Sequence, residues 1–128
     1  MKEIQKKIKS FLENRPVIKN NDSPEKLVYK LKGEVQELFD EVKWGDREPT
    51  TKEIKKVEME LADVIIYSVQ IGTLLGIDIK SAIKEKININ EKRFPKKLFQ
   101  EGNFYEIYTS RKIDLGERPN IIQSKLDI

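Results

Sequence analysis

Glu60-Leu61-Ala62-Asp63-Val64-Ile65-Ile66-Tyr67 is the centre of the most apolar helical stretch of the chain, and it carries two carboxylates. At helical spacing Leu61, Val64, Ile65 and Ser68 share one stripe, with Val57 before it and Leu75 beyond. Glu60 and Asp63 are i, i+3 neighbours beside that stripe, and Tyr67 lies one turn past Asp63. Aspartate is a poor interior helix residue, and a lone buried carboxylate either costs several kcal/mol or protonates. A pair at this spacing, bordered by Leu, Ala, Val and Ile, therefore asks for a cation. The plainer alternative is a helix edge with two solvated acids.

The partner stretch is Gly33-Glu34-Val35-Gln36-Glu37-Leu38-Phe39-Asp40-Glu41. Leu27, Leu31, Val35, Leu38 and Val42 form an apolar stripe at helical spacing, and Glu34, Glu37 and Glu41 run along its border. Like charges this close on one helix repel. Two helices, each with an acid pair beside its buried face, can oppose those pairs across a bundle. Four carboxylates then converge on a hard cation such as Mg²⁺.

The rest of the composition narrows the classes. A chain of 128 residues suits one domain with a core and is short for two. Hydrophobic residues make up 38% and charged residues 37%, which points to a helix-rich protein whose modest core is completed by self-association. Net charge is +3, too weak to call for nucleic acid. The absence of cysteine excludes disulfide and thiol chemistry, and the absence of histidine excludes histidine acid–base catalysis and typical zinc sites. The N-terminus lacks the apolar run of a signal peptide and no run reaches membrane-spanning length, so a cytoplasmic protein is expected.

In chain order, Ile4, Ile8, Phe11 and Leu12 mark a short first helix ending near Pro16, and residues 16–22 read as a loop. Ser23 and Pro24 start a second helix running to about Lys43, with Gly45 ending it. Thr50 or Thr51 caps a third, reaching about Leu75, where Gly76 breaks it. Asp78 is expected to cap a fourth, about Ile79 to Arg93, stopped before Pro95. The expected architecture is all-α: a four-helix domain over 1–95 and an extension over 96–128. Gly102, Gly116, Pro119 and the β-prone Phe104–Thr109 make that extension read as an irregular tail, with room for a short hairpin. Its aromatic residues argue against full disorder. Residues 104–109 are expected to anchor it on a neighbouring subunit.

The residues also carry a family likeness. Glu34-x-x-Glu37, twenty-two intervening residues, and Glu60-x-x-Asp63 resemble the all-α nucleoside triphosphate pyrophosphohydrolases of the MazG type. Gly33-Glu34-Val35-x-Glu37-Leu38 with Trp44 shortly after, Asp63-Val64-Ile65-Ile66-Tyr67, and Lys86-x-x-x-Asn90-x-x-Arg93-Phe94-Pro95 are most similar to the dCTP pyrophosphatase branch. The likeness covers roughly residues 23–95. No Trp or His precedes Ser23, where that branch contributes a base-contacting side chain, so the base is left open.

The resemblance implies a MazG-like bundle that binds a nucleoside triphosphate and releases monophosphate and pyrophosphate. Glu34, Glu37, Glu60 and Asp63 would hold Mg²⁺, with Mn²⁺ as a substitute. Lys86 and Arg93 would contact phosphates, and Asn90 phosphate or sugar. Trp44 would either stack a base or anchor the core, and Tyr67 either line the sugar or fill the core. Glu41 would be an outer carboxylate, the group orienting water, or a surface acid. A homodimer or homotetramer is implied, with no membrane and no nucleic acid partner. The alternatives are a relative acting on dUTP, a damaged nucleotide or phosphoribosyl-ATP, and a non-catalytic helical interaction module with a structural metal site.

Overall fold

Capping residues decide where the helices begin and end. A computed structural model describes residues 1–119, apart from the side chain of Asn21. All regular structure among the described residues is helical: α1 (Lys2–Glu13), α2 (Pro16–Asn21), α3 (Pro24–Glu41), α4 (Thr51–Leu74), α5 (Ile79–Arg93), a 3₁₀ turn (Lys96–Phe99) and α6 (Phe104–Asp114). None of these helices is by itself long and apolar enough to cross a membrane.

The Ser23 hydroxyl accepts from the Lys26 amide at 3.2 Å, and Pro24 occupies the first helical position of α3. Thr50 and Glu53 form a reciprocal capping box at the start of α4. Arg47 grips the Glu53 carboxylate with both terminal nitrogens at 2.8 Å, which ties the connection before α4 to its first turn. At the other end Gly76 adopts φ +70, the Ile77 amide donates to the Gly72 carbonyl and the Gly76 amide to Thr73. That is a Schellman stop, which requires a residue tolerant of the left-handed region.

The chain divides into two compact units, Met1–Lys80 and the residues from Ser81 onward. In the first unit α3 packs along α4, and α1 packs on α4 and α2. Leu27 and Val69 are the most buried apolar side chains, with Ile8 joining them from α1. Much apolar surface is uncovered on the α3–α4 pair: Val35, Phe39, Met59, Leu61 and Ile65 are all more than two-fifths exposed. In the second unit, Phe94 just after α5 stacks on Tyr108 of α6 at 5.2 Å between ring centroids, and Phe104 stacks on Tyr108 at 5.4 Å.

Two expectations are corrected here. Residues 16–22 contain a short helix, because Pro16 at the first helical position is already set for helix and its missing N–H would have no partner there. The extension is not an irregular tail or hairpin: Phe104–Thr109 opens α6. Asn103 accepts from the Glu106 amide at 3.1 Å, Gly116 at φ +73 supplies a second Schellman stop, and helical spacing puts Phe104 and Tyr108 on one face. Local caps and aromatic packing outweigh the β-propensity of the segment. The part of the extension beyond residue 119, including Ile121, Ile122 and Leu126, lies outside the described residues.

The capping box gives a measurable consequence. Thr50→Ala should cost about 1 kcal/mol in urea unfolding. The hydrogen bond from Arg47, with the Thr50 backbone, holds the Glu53 carboxyl down at about 2 from its ordinary 4.5. A depressed carboxylate stabilises fully above its unfolded value. That contribution should therefore fade as pH falls from 4.5 toward 2, and Glu53→Gln should remove this part of the pH dependence.

Candidate metal centre

Glu34 and Glu37 stand one turn apart on α3, and Glu60 faces them from α4. One carboxylate oxygen of each lies within 4.8 Å of the others. Two helices that run past one another in opposite directions achieve this, since Leu27 and Gln70 line one cavity while Glu41 and Glu60 line another. Glu34 and Glu60 are half-buried and Glu37 is exposed. Glu34 Oε2 and Glu60 Oε2 are buried without a hydrogen-bond partner.

Unpartnered buried carboxylate oxygens are expensive, and both groups respond electrostatically. Burial raises the Glu34 carboxyl above the ordinary carboxylate range, reinforced by Glu37 and then by the charges of Asp63 and Glu60. Burial likewise raises Glu60, reinforced by Glu37 and then by Asp63 and Glu41. These residues fit a hard divalent cation. The donors are all oxygen, and opposite ligands of octahedral Mg²⁺ are separated by about 4.2 Å, twice a metal–oxygen distance of roughly 2.1 Å. A cation would also give the two buried oxygens the partner they lack.

Asp63 is half-buried on α4 and stands outside the close trio, but its charge acts on both Glu34 and Glu60. Glu41, at the end of α3, lines a cavity of ≈ 400 Å³ with Glu60, Met59, Lys52, Lys55 and Lys56. Sequence reasoning passed over these three lysines. Their signal was spacing: Lys52, Lys55, Lys56, Met59 and Glu60 fall at i, i+3, i+4, i+7 and i+8 on one helix face. Lys55 pairs with Glu58 at 3.1 Å, whereas Lys52 and Lys56 make no ion pair among the described residues.

Trp44 is half-buried in the turn after α3, and Tyr67 is half-buried on α4 within electrostatic range of Lys30. Lys86, Asn90 and Arg93 belong to the second unit. Lys86 is exposed, while Asn90 accepts from Arg93 Nη1 at 2.8 Å. Arg93 is also ion-paired with Glu117 and lies 4.8 Å from the Phe94 ring centroid. Glu117, just past α6, was not singled out by sequence reasoning.

Residues 22–98 match the family model of the MazG nucleotide pyrophosphohydrolase domain, and the chain belongs to this family. It is 35% identical over 86 residues to dCTP pyrophosphatase 1 of Homo sapiens, covering 62% of this chain and 51% of that protein. Identity to dCTP pyrophosphatase 1 of Mus musculus is 35% over 78 residues, 56% of this chain and 46% of that protein. For dCTP pyrophosphatase 1 of Bos taurus it is 32% over the same length, with the same shares. The chain spans about half the length of the curated relatives it matches. The family match holds Glu34, Glu37, Glu41, Glu60 and Asp63 together with Lys86, Asn90 and Arg93, while α6 and Glu117 lie beyond it.

The acid trio makes the metal-free protein pH-sensitive in a defined direction. Glu34 and Glu60 are raised above 4.5, so the folded chain holds more protons than the unfolded chain just above that value. Metal-free stability should fall as pH rises from 4.5 toward neutrality. At pH 7 Mg²⁺ should raise the melting temperature, by the equivalent of about 2.7 kcal/mol at a hundredfold excess over Kd. Glu60→Gln should raise metal-free stability and abolish the Mg²⁺ response. Equal melting shifts in wild type and variant would refute the assignment.

Proposed function

We propose that this chain hydrolyses a (deoxy)nucleoside triphosphate to the monophosphate and pyrophosphate in a Mg²⁺-dependent reaction. The observation that carries the reading is the trio Glu34, Glu37 and Glu60, with two buried carboxylate oxygens lacking a partner, inside a MazG domain. When bound, a divalent cation neutralises phosphate charge and acidifies water. Glu34, Glu37 and Glu60 would hold it, with Asp63 beside them as the fourth acid. Glu41, beside Glu60, orients the attacking water and accepts its proton. The water oxygen bonds to the α-phosphorus, the bond from that phosphorus to the bridging oxygen breaks, and pyrophosphate leaves. No protein nucleophile is required, in keeping with a chain that has neither cysteine nor histidine.

Lys86 and Arg93 are proposed as phosphate contacts and Asn90 as a phosphate or sugar contact, on the strength of the Lys-x-x-x-Asn-x-x-Arg-Phe-Pro match. Trp44 is proposed as a stacking surface for the base and Tyr67 as a contact for the sugar. The similarity to dCTP pyrophosphatase 1 makes dCTP the first nucleotide to test, ahead of dUTP and damaged nucleotides. The apolar surface left on α3 and α4 supports a homodimer or homotetramer in which those faces are covered.

A nucleotide panel with Mg²⁺, separated by chromatography, should give one preferred triphosphate. Reaction in ¹⁸O-labelled water should place the label in the monophosphate; label in pyrophosphate would mean attack at the β-phosphorus. Glu60→Gln and Asp63→Asn should abolish turnover, and near-wild-type rates in either would remove the proposed acids from the chemistry.

Light scattering should report a mass above that of one chain. Ile65→Arg, which puts a charge on exposed apolar surface, should shift it toward the monomer.

A further inference from the structure

At the end of α5, two cations turn toward one carboxylate oxygen. Arg93 Nη2 hydrogen-bonds Glu117 Oε1, and Lys112 Nζ stands 3.7 Å from the same oxygen. Both cationic side chains are sheltered, at 20% and 19% exposure, so this is not an ordinary solvated surface pair. Each cation is fixed by its neighbours. Asn90 Oδ1 accepts from Arg93 Nη1, and the Phe94 ring lies against the guanidinium. The Arg93 carbonyl accepts from Arg111 Nε, and the Lys92 carbonyl accepts from Arg111 Nη2 at 3.3 Å. Lys112 lies 5.6 Å from the centroid of the Tyr108 ring, which stacks on Phe94.

The pairing is unequal. At 3.7 Å, Lys112 holds the shared Glu117 oxygen more loosely than Arg93 does, and that one oxygen serves both cations. Two positive charges meet one negative charge, and Arg118, 5.9 Å from the Tyr108 centroid, adds a third cation to the neighbourhood. A tetrahedral anion with several oxygens and up to two negative charges meets this need better than a single carboxylate. Burial alone would raise the Glu117 carboxyl, but the hydrogen bond from Arg93 and the charges of Arg93 and Lys112 hold it below its ordinary range. Glu117 also sits where it can yield. It is the first residue after the Gly116 turn, held by its amide to the Lys112 carbonyl at 2.9 Å, so its side chain can rotate away without unwinding α6.

We infer that Arg93 and Lys112 form a phosphate-binding pair, and that Glu117 is a resident counter-ion which the phosphate displaces. Where that phosphate belongs to a nucleotide, the inference rests on the proposed activity and adds Lys112, from outside the matched family domain, as a substrate contact. The chemistry is shared by free polyphosphate, so the test separates the sources.

The full chain, free of metal, is titrated with sodium tripolyphosphate while the Arg93 Nε–H signal is followed by NMR. Tripolyphosphate should move that signal. Lys112→Gln should weaken binding by about tenfold, the loss of one charge-assisted contact. Glu117→Gln should tighten it several-fold, because the competing carboxylate is gone. An unmoved Arg93 signal, or Lys112→Gln binding within twofold of wild type, overturns the pair. Should Glu117→Gln unfold the unit, Lys112→Gln still decides. A second arm uses the hydrolysed nucleotide with Mg²⁺: Lys112→Gln should raise KM far more than it lowers kcat. If tripolyphosphate binds as expected but KM is unmoved, the site takes free polyphosphate and is no substrate contact. If wild type hydrolyses no nucleotide, the proposed activity falls while the tripolyphosphate titration still judges the pair.

Discussion

Mutual repulsion among carboxylates between α3 and α4 is the constraint that organises the first unit. Glu34, Glu37 and Glu60 lie within 4.8 Å of each other, with Asp63 and Glu41 adding to the field. Left to themselves these groups would push the helices apart or take up protons. They are held together by packing further along the same helix pair, where Leu27 and Val69 are almost wholly buried. The capping box at Thr50 and the Schellman stop at Gly76 fix the two ends of α4, so Glu60 has little freedom to slide away. Packing thus holds together a field that a divalent cation would relieve.

The second unit inverts that electrostatic logic. Here cations converge, and an aromatic cluster of Phe94, Phe99, Phe104 and Tyr108 supplies the packing. Arg93 connects the two kinds of interaction, since its guanidinium pairs with Glu117 and Asn90 while lying against an aromatic ring. The family domain accounts for the acids and for Arg93. The lysines beside Glu41 lie inside the matched stretch, whereas α6 with Lys112, and Glu117 just after it, lie beyond it.

Much of the architecture was legible without coordinates because helix signals are local. Ser23-Pro24, Thr50 with Glu53, and Gly76 act through hydrogen bonds to backbone only a few residues away. The start of α3 and both ends of α5 therefore fall where their residues put them, and α4 differs from its expected end by one residue. The short α2 and the longer α6 were missed for a common reason. Pro16 and Phe104–Thr109 have strong statistical habits outside helices, and those habits give way when a cap or a packed aromatic face is available.

From sequence alone came the helical class, the pairing of i, i+3 acids on two helices and the likeness to the MazG type. Each depends on spacing along a helix, which is a property of the chain itself. Only tertiary structure could select Glu34, Glu37 and Glu60 as the close trio and leave Asp63 beside it, because that choice depends on how one helix is rotated and shifted against another. Only tertiary structure could bring Glu117 to Arg93, twenty-four residues away, because that contact is made by the turn after α6 and by stacked rings, neither of which has a period to read.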